Sequence, residues 1–65
     1  MPIIHAHVLA GRGSEQKAAF ARAVTEAAAL HLGAPPAAVR VLIHETAPTD
    51  WFAAGEPKSG PAGSG

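Results

Sequence analysis

Cysteine is absent from this chain of 65 residues, and so is tyrosine; its large aromatic side chains are one tryptophan and two phenylalanines. Without thiols there are no disulfides, no cysteine-ligated zinc or iron–sulfur centres and no thiol nucleophile. An excess of either charge is missing as well. Five basic and five acidic residues cancel, which leaves no cationic field to hold nucleic acid or an anionic membrane surface. No apolar run approaches the roughly 20 residues that cross a bilayer. Met1-Pro2-Ile3-Ile4-His5 lacks the basic start and apolar core of an export signal, so a cytoplasmic protein is expected. Large core-forming side chains are also scarce, because much of the 48% hydrophobic content is alanine, and a buried methyl contributes little beside a leucine. A chain of this length buries only about 60% of the surface it exposes when unfolded. With disulfides excluded, self-association is the remaining source of stability.

What is present begins with a short β-branched run. Ile3 to Leu9 roughly alternates, with Ile4, Ala6 and Val8 on one face and Ile3, His5, His7 and Leu9 on the other, as a strand does. Gly11, Arg12 and Gly13 break the pattern. Ser14 is the predicted N-cap of a helix over 15–32, with Glu15 in its positive first turn; Lys17 stands where a capping-box glutamate would be. Phe20, Ala23, Val24, Ala27, Leu30 and His31 form the predicted apolar stripe. His31 suits the helix C-terminus, Gly33 the left-handed position that ends it, and Pro35 and Pro36 forbid continuation.

A second strand is predicted over 39–45, with Val39, Val41 and Ile43 on one face and Arg40, Leu42 and His44 on the other. The fold class is therefore α/β: a β-α-β unit with two parallel strands and one right-handed crossover helix. Two strands leave two open edges and one bare face, so the unit should be completed by oligomerisation. Residues 1–55 are assigned to this domain and 56–65 to a flexible Gly/Pro/Ser-rich tail. Trp51 and Phe52, adjacent rings in a loop-like stretch, should be buried against the core or a neighbouring chain.

Proline directly after the initiator methionine is the most informative feature. Removal of Met1 would leave Pro2 with a secondary amine, a base or nucleophile if it is neutral near pH 7. An arginine about 6 Å away, at an effective dielectric of 20, disfavours the ammonium by about 3 kcal/mol, or two pKa units. A parallel ladder brings Pro2 level with Val39 and Arg40, whereas Arg12 lies some 26 Å along the strand from Pro2 of its own chain. Antiparallel pairing of two copies through their first strands would bring one chain's Arg12 beside the other's Pro2. Guanidinium forks on Arg12 and Arg40 suit a carboxylate, so the site would select a small anion.

Met1-Pro2-Ile3-Ile4, His7-Val8-Leu9-Ala10-Gly11-Arg12, Glu15-Gln16-Lys17, Ala34-Pro35 and Val39-Arg40-Val41-Leu42-Ile43-His44-Glu45, in this order and spacing, resemble the 4-oxalocrotonate tautomerase family over about residues 2–51. The resemblance implies a cofactor-free isomerase that assembles as dimers and hexamers, with sites built from several chains. By position it implies Pro2 as catalytic base, Arg12 and Arg40 as catalytic and substrate-binding cations, and Trp51 as the aromatic wall. The implied reaction is keto-enol isomerisation of a small 2-hydroxy-dienoate or enol 2-keto acid, such as 2-hydroxymuconate or phenylenolpyruvate. Two departures stand out. Ala10 replaces an acidic residue, and Phe52-Ala53-Ala54-Gly55-Glu56-Pro57 replaces a glycine-rich hairpin segment, which leaves that hairpin open. Asp50 and Glu56 lie near where related hydrolytic members keep a carboxylate, but neither clearly matches.

The histidines offer a rival. An offset of 37 between the strands sets His7 opposite His44, beside His5, a three-imidazole cluster of the kind zinc accepts; hydrogen bonding within an inter-subunit core is the weightier reading, and no metal is assigned. The alternatives to a tautomerase are thus an oligomer that binds a small acid without turnover and, below it, a metal-binding module.

Overall fold

A computed structural model describes residues 1–58. Strand β1 (Ile3–Leu9) leads through a glycine turn into helix α1 (Ser14–Leu32), and strand β2 (Arg40–Thr46) returns alongside β1. The two strands are parallel and pair Ile3 with Arg40 through His7 with His44 to Leu9 with Thr46. Arg40 N–H donates to Pro2 O at 3.0 Å and Ala10 N–H to Thr46 O at 2.9 Å, so the ladder continues one step past β1 at each end. This is the β-α-β unit, and the register, expected from the sequence.

The ends of the elements differ from expectation for local reasons. The helix cap is Gly13 rather than Ser14. That shift of one residue makes Gln16 the third helical residue, and its Oε1 accepts from Gly13 N–H at 3.1 Å. Gln16 thus does half the work of a capping box, the half that glycine needs no side chain for. Gly33 ends the helix at φ 69°, in the left-handed region that glycine enters at least cost. Strand β2 starts at Arg40 instead of Val39 because Val39 N–H is already taken by Pro36 O, closing a 3₁₀ turn over Pro36–Ala38.

The helix presents a different face from the predicted stripe. Ala28 is its buried residue and Ala21, Val24 and Thr25 are half-buried, whereas Ala23, Ala27 and His31 are exposed and Leu30 is 77% exposed. Of the predicted six, Val24 is half-buried and Phe20, though 45% exposed, borders the space between helix and sheet. A helix this rich in alanine has little contrast between its faces, so the long side chains mislead when they are not the ones packed. Lys17, also half-buried, pairs with Glu45 at 3.1 Å and ties α1 to the end of β2.

After Thr46 a second 3₁₀ turn, Pro48–Asp50, precedes a small antiparallel hairpin of β3 (Phe52–Ala53) and β4 (Glu56–Pro57). Ala54 and Gly55 at its tip both have positive φ, 54° and 80°, as two-residue hairpin turns require. Lys58 N–H donates to Trp51 O at 2.7 Å and closes the hairpin's base. The segment that departs in sequence therefore still makes a hairpin, whose second strand lies beyond the boundary placed at residue 55. The remainder of the assigned tail, 59–65, lies outside the described residues.

Among the described residues only Leu9, Ala28 and Val39 are buried apolar residues, and Leu9, at 1% exposure, is the most enclosed. Ile3, Phe20, Leu30, Leu32, Leu42 and Phe52 remain exposed. Burial of both Trp51 and Phe52 was expected; in the single chain Trp51 is half-buried and Phe52 is 60% exposed. Among the described residues no helix is long and apolar enough to cross a membrane.

Candidate active site

The ladder sorts the sequence-predicted residues into two groups. At its start sits half-buried Pro2, whose carbonyl accepts from Arg40 N–H. Arg40 follows on the neighbouring strand, its guanidinium turned back so that Nη1 donates to Ala37 O at 2.7 Å and Val39 O at 3.3 Å. The Met1 amine donates to Ala38 O at 2.8 Å, so the first residue also rests on the 3₁₀ turn before β2. While Met1 is attached, the Pro2 nitrogen belongs to an amide and carries no basicity.

At the far end of the ladder sit Arg12 and Trp51. Gly11, at φ 126°, turns the chain off β1 through a conformation that a side chain would oppose. The turn folds the half-buried Arg12 back, and its Nη1 donates to Leu9 O at 3.2 Å. Trp51 follows the 3₁₀ turn that leaves the end of β2. Seven strand residues at about 3.3 Å each separate this end from Pro2 by more than about 20 Å. Within one chain, then, Pro2 and Arg40 come together, and Arg12 and Trp51 do not join them.

Arg12 opens onto a groove of about 320 Å³ between sheet and helix, lined also by Val8, Gln16, Lys17, Phe20 and Ile43. Sequence reasoning missed the groove, although Gln16 and Phe20, four residues apart on α1, share one row. Lys17 is neutralised by Glu45, and this is the sole ion pair among the described residues. Among the described residues Arg12 and Arg40 bond to carbonyl oxygens and not to a carboxylate, which leaves both guanidinium groups available to an anion. No buried side-chain nitrogen or oxygen among the described residues lacks a partner.

The three histidines meet on the face of the sheet away from the helix. His44 lies against His5 with ring centroids 5.0 Å apart and against His7 at 4.7 Å, with interplanar angles of 16° and 18°. His5 Nδ1 and His44 Nε2 are 2.8 Å apart, one hydrogen bond. A 2.8 Å nitrogen contact with ring centroids 5.0 Å apart sets His5 and His44 edge to edge, and the bond takes up the nitrogens that a shared ion would need. Among the described residues no three potential ligands are arranged to hold a metal.

Comparison with known proteins adds to this geometry. The family described as tautomerase enzyme matches residues 2–60. A probable tautomerase from Ralstonia nicotianae is 46% identical over 59 residues, covering 91% of this chain and 84% of the relative. A 2-hydroxymuconate tautomerase from Pseudomonas putida is 45% identical over 56 residues, covering 86% and 89%. Among solved structures, a heterohexamer 4-oxalocrotonate tautomerase from Chloroflexus aurantiacus superposes with a TM-score of 0.84 at 41% identity, covering 89% of this chain and 94% of its own.

Proposed function

Because the chain belongs to the tautomerase family of isomerases, we propose that it isomerises a small 2-hydroxy-dienoate or enol 2-keto acid, with Pro2 as the base and without a cofactor. The observation that carries this reading is the division of the four candidate residues between opposite ends of one two-stranded ladder. A complete site then needs the start of one chain and the end of another. Antiparallel pairing of β1 with β1 from a second copy supplies that, and the scarcity of buried side chains favours such an assembly. The hexameric relative supports carrying it further, to three such pairs.

The chemistry starts with removal of Met1, which turns the Pro2 amide into a secondary amine. Neutral Pro2 takes the proton of the substrate's 2-hydroxyl as electron density moves into the conjugated chain, then returns it to the far carbon, giving the conjugated 2-keto acid. One base serves both transfers, and atoms and charge balance. Arg40, at the same end, stabilises the oxyanion that develops on the 2-oxygen. Arg12 of the neighbouring chain clamps a carboxylate, and Trp51, beyond the end of β2, excludes water, which strengthens both contacts. The two guanidinium charges disfavour the ammonium form of Pro2 and so hold it ready as a base.

Mixing two inactive variants tests the reading directly. Pro2→Ala and Arg12→Ala chains, unfolded together and reassembled, should regain about a quarter of wild-type sites if each site draws these residues from two chains. No recovery would place both residues in one chain and end this account of the site. Intact mass of the native protein, with Met1 absent, is the companion measurement; retained Met1 in a fully active enzyme would remove Pro2 as base. Binding of the acids by wild type without turnover would identify a non-catalytic binder.

A further inference from the structure

The groove between helix and sheet enters the chemistry above only at one end, through Arg12. Resting on the reading that the chain isomerises enol 2-keto acids, we infer that this groove is a specificity subsite. Its preferred substrate is a monocarboxylate whose substituent on the reacting enol is apolar, aryl or alkyl, and not a dicarboxylate. Val8 and Ile43 line the groove from β1 and β2, and Phe20 from α1. Its volume, about 320 Å³, falls within the range of small-molecule sites, and an apolar cavity of about 150 Å³ already takes a benzene ring. Phe20 stays 45% exposed in the single chain, so an apolar group bound there would cover ring surface that helix and sheet leave open.

The charges around the groove decide what else enters. Arg12 Nη1 spends a donor on Leu9 O at 3.2 Å, and its guanidinium meets no carboxylate among the described residues. Gln16 commits its Oε1 to Gly13 N–H at 3.1 Å, which leaves it the donors of its amide group. Donors of this kind suit one carboxylate. In an enol 2-keto acid the carboxylate and the substituent lie on the two carbons of one double bond. A molecule held at its carboxylate by Arg12 therefore carries the substituent to the apolar walls. A second carboxylate among Val8, Phe20 and Ile43 would lose its hydration without gaining a free cation, because Lys17 is already held by Glu45 at 3.1 Å. The Glu45 charge repels it as well. One methylene more or less changes binding only about fourfold, so exclusion of the second charge outweighs fit.

Steady-state kinetics of the full chain on phenylenolpyruvate and 2-hydroxymuconate tests this. Wild type should favour phenylenolpyruvate in kcat/KM by at least about tenfold. Phe20→Ala should lose roughly tenfold more on phenylenolpyruvate than on 2-hydroxymuconate, mainly through KM, and Phe20→Leu should recover most of that loss. Glu45→Gln, which frees the Lys17 ammonium, should move the ratio several-fold toward 2-hydroxymuconate.

A second measurement needs wild type alone and so stands even if the Phe20 variants fail to fold. In heavy water, exchange of the C3 hydrogens of straight-chain 2-keto acids should rise in kcat/KM about fourfold for each of the first few methylenes of tail. A flat series, a wild-type preference for 2-hydroxymuconate, or a Phe20→Ala loss equal on both acids overturns the inference and leaves the tautomerase reading standing. So does a Phe20→Ala change in sedimentation with the acid preference unaltered, which would give the groove to subunit contact. Turnover of neither acid by wild type is a separate result, which overturns the tautomerase reading itself.

Discussion

The two ends of the β1–β2 ladder are built in different ways. At the start, backbone does the positioning: the bond from Arg40 N–H to Pro2 O holds the residue before β1 on the ladder, beside the first residue of β2. At the far end, Gly11 and the 3₁₀ turn after β2 place Arg12 and Trp51 from loops. Loops on a rigid scaffold carry binding groups that can be retuned without disturbing the ladder. Under the proposed function the contrast puts chemistry at the ladder's start and choice of substrate at its end.

The sharpest way to break that contrast is at Pro2. Pro2→Ala should lower kcat by about 10²-fold or more with the assembly unchanged by sedimentation, in line with the 10²–10⁴-fold typical of general acid–base groups. Close to it, Arg40→Ala should cost about 10²–10³-fold in kcat, as loss of an oxyanion donor does. Arg12→Ala, at the opposite end, should act mainly on KM, raising it about tenfold to a hundredfold for a carboxylate substrate. An Arg12 variant whose loss falls entirely in kcat would erase the division between ends. Smaller effects separate scaffold from site: Gly33→Ala, forced to φ 69°, should cost about 1 kcal/mol in chemical denaturation with kcat unaltered. Smallest is Lys17→Ala, which removes a part-exposed ion pair and should change stability by no more than about 0.5 kcal/mol.

Much of the fold was legible because local rules and spacing agree. The alternation of Ile3 to Leu9, the glycine at 33 and the prolines after it mark strand, helix end and return, and the offset of 37 set His7 opposite His44 correctly. Boundaries were less legible: the cap moved to Gly13 because Gln16 can reach back to it, and β2 began a residue late because a 3₁₀ turn claimed Val39. The hairpin was obscured by Ala54, which adopts the positive φ that the sequence would reserve for glycine. The candidate site was legible as four residues within an order of motifs that resembles a known family, but its groove was not, since Val8, Phe20 and Ile43 become neighbours of Arg12 only when helix and sheet are packed.

By itself the sequence determined the parallel two-stranded ladder, the crossover helix and the absence of thiol chemistry, because period, turn residues and composition act over short distances along the chain. The tertiary structure alone decided which helix face is covered, how the three imidazoles lie against one another, and that Val8, Phe20 and Ile43 join Arg12 along one groove. Those outcomes depend on how elements pack in space, where weak contrasts among alanines give no direction.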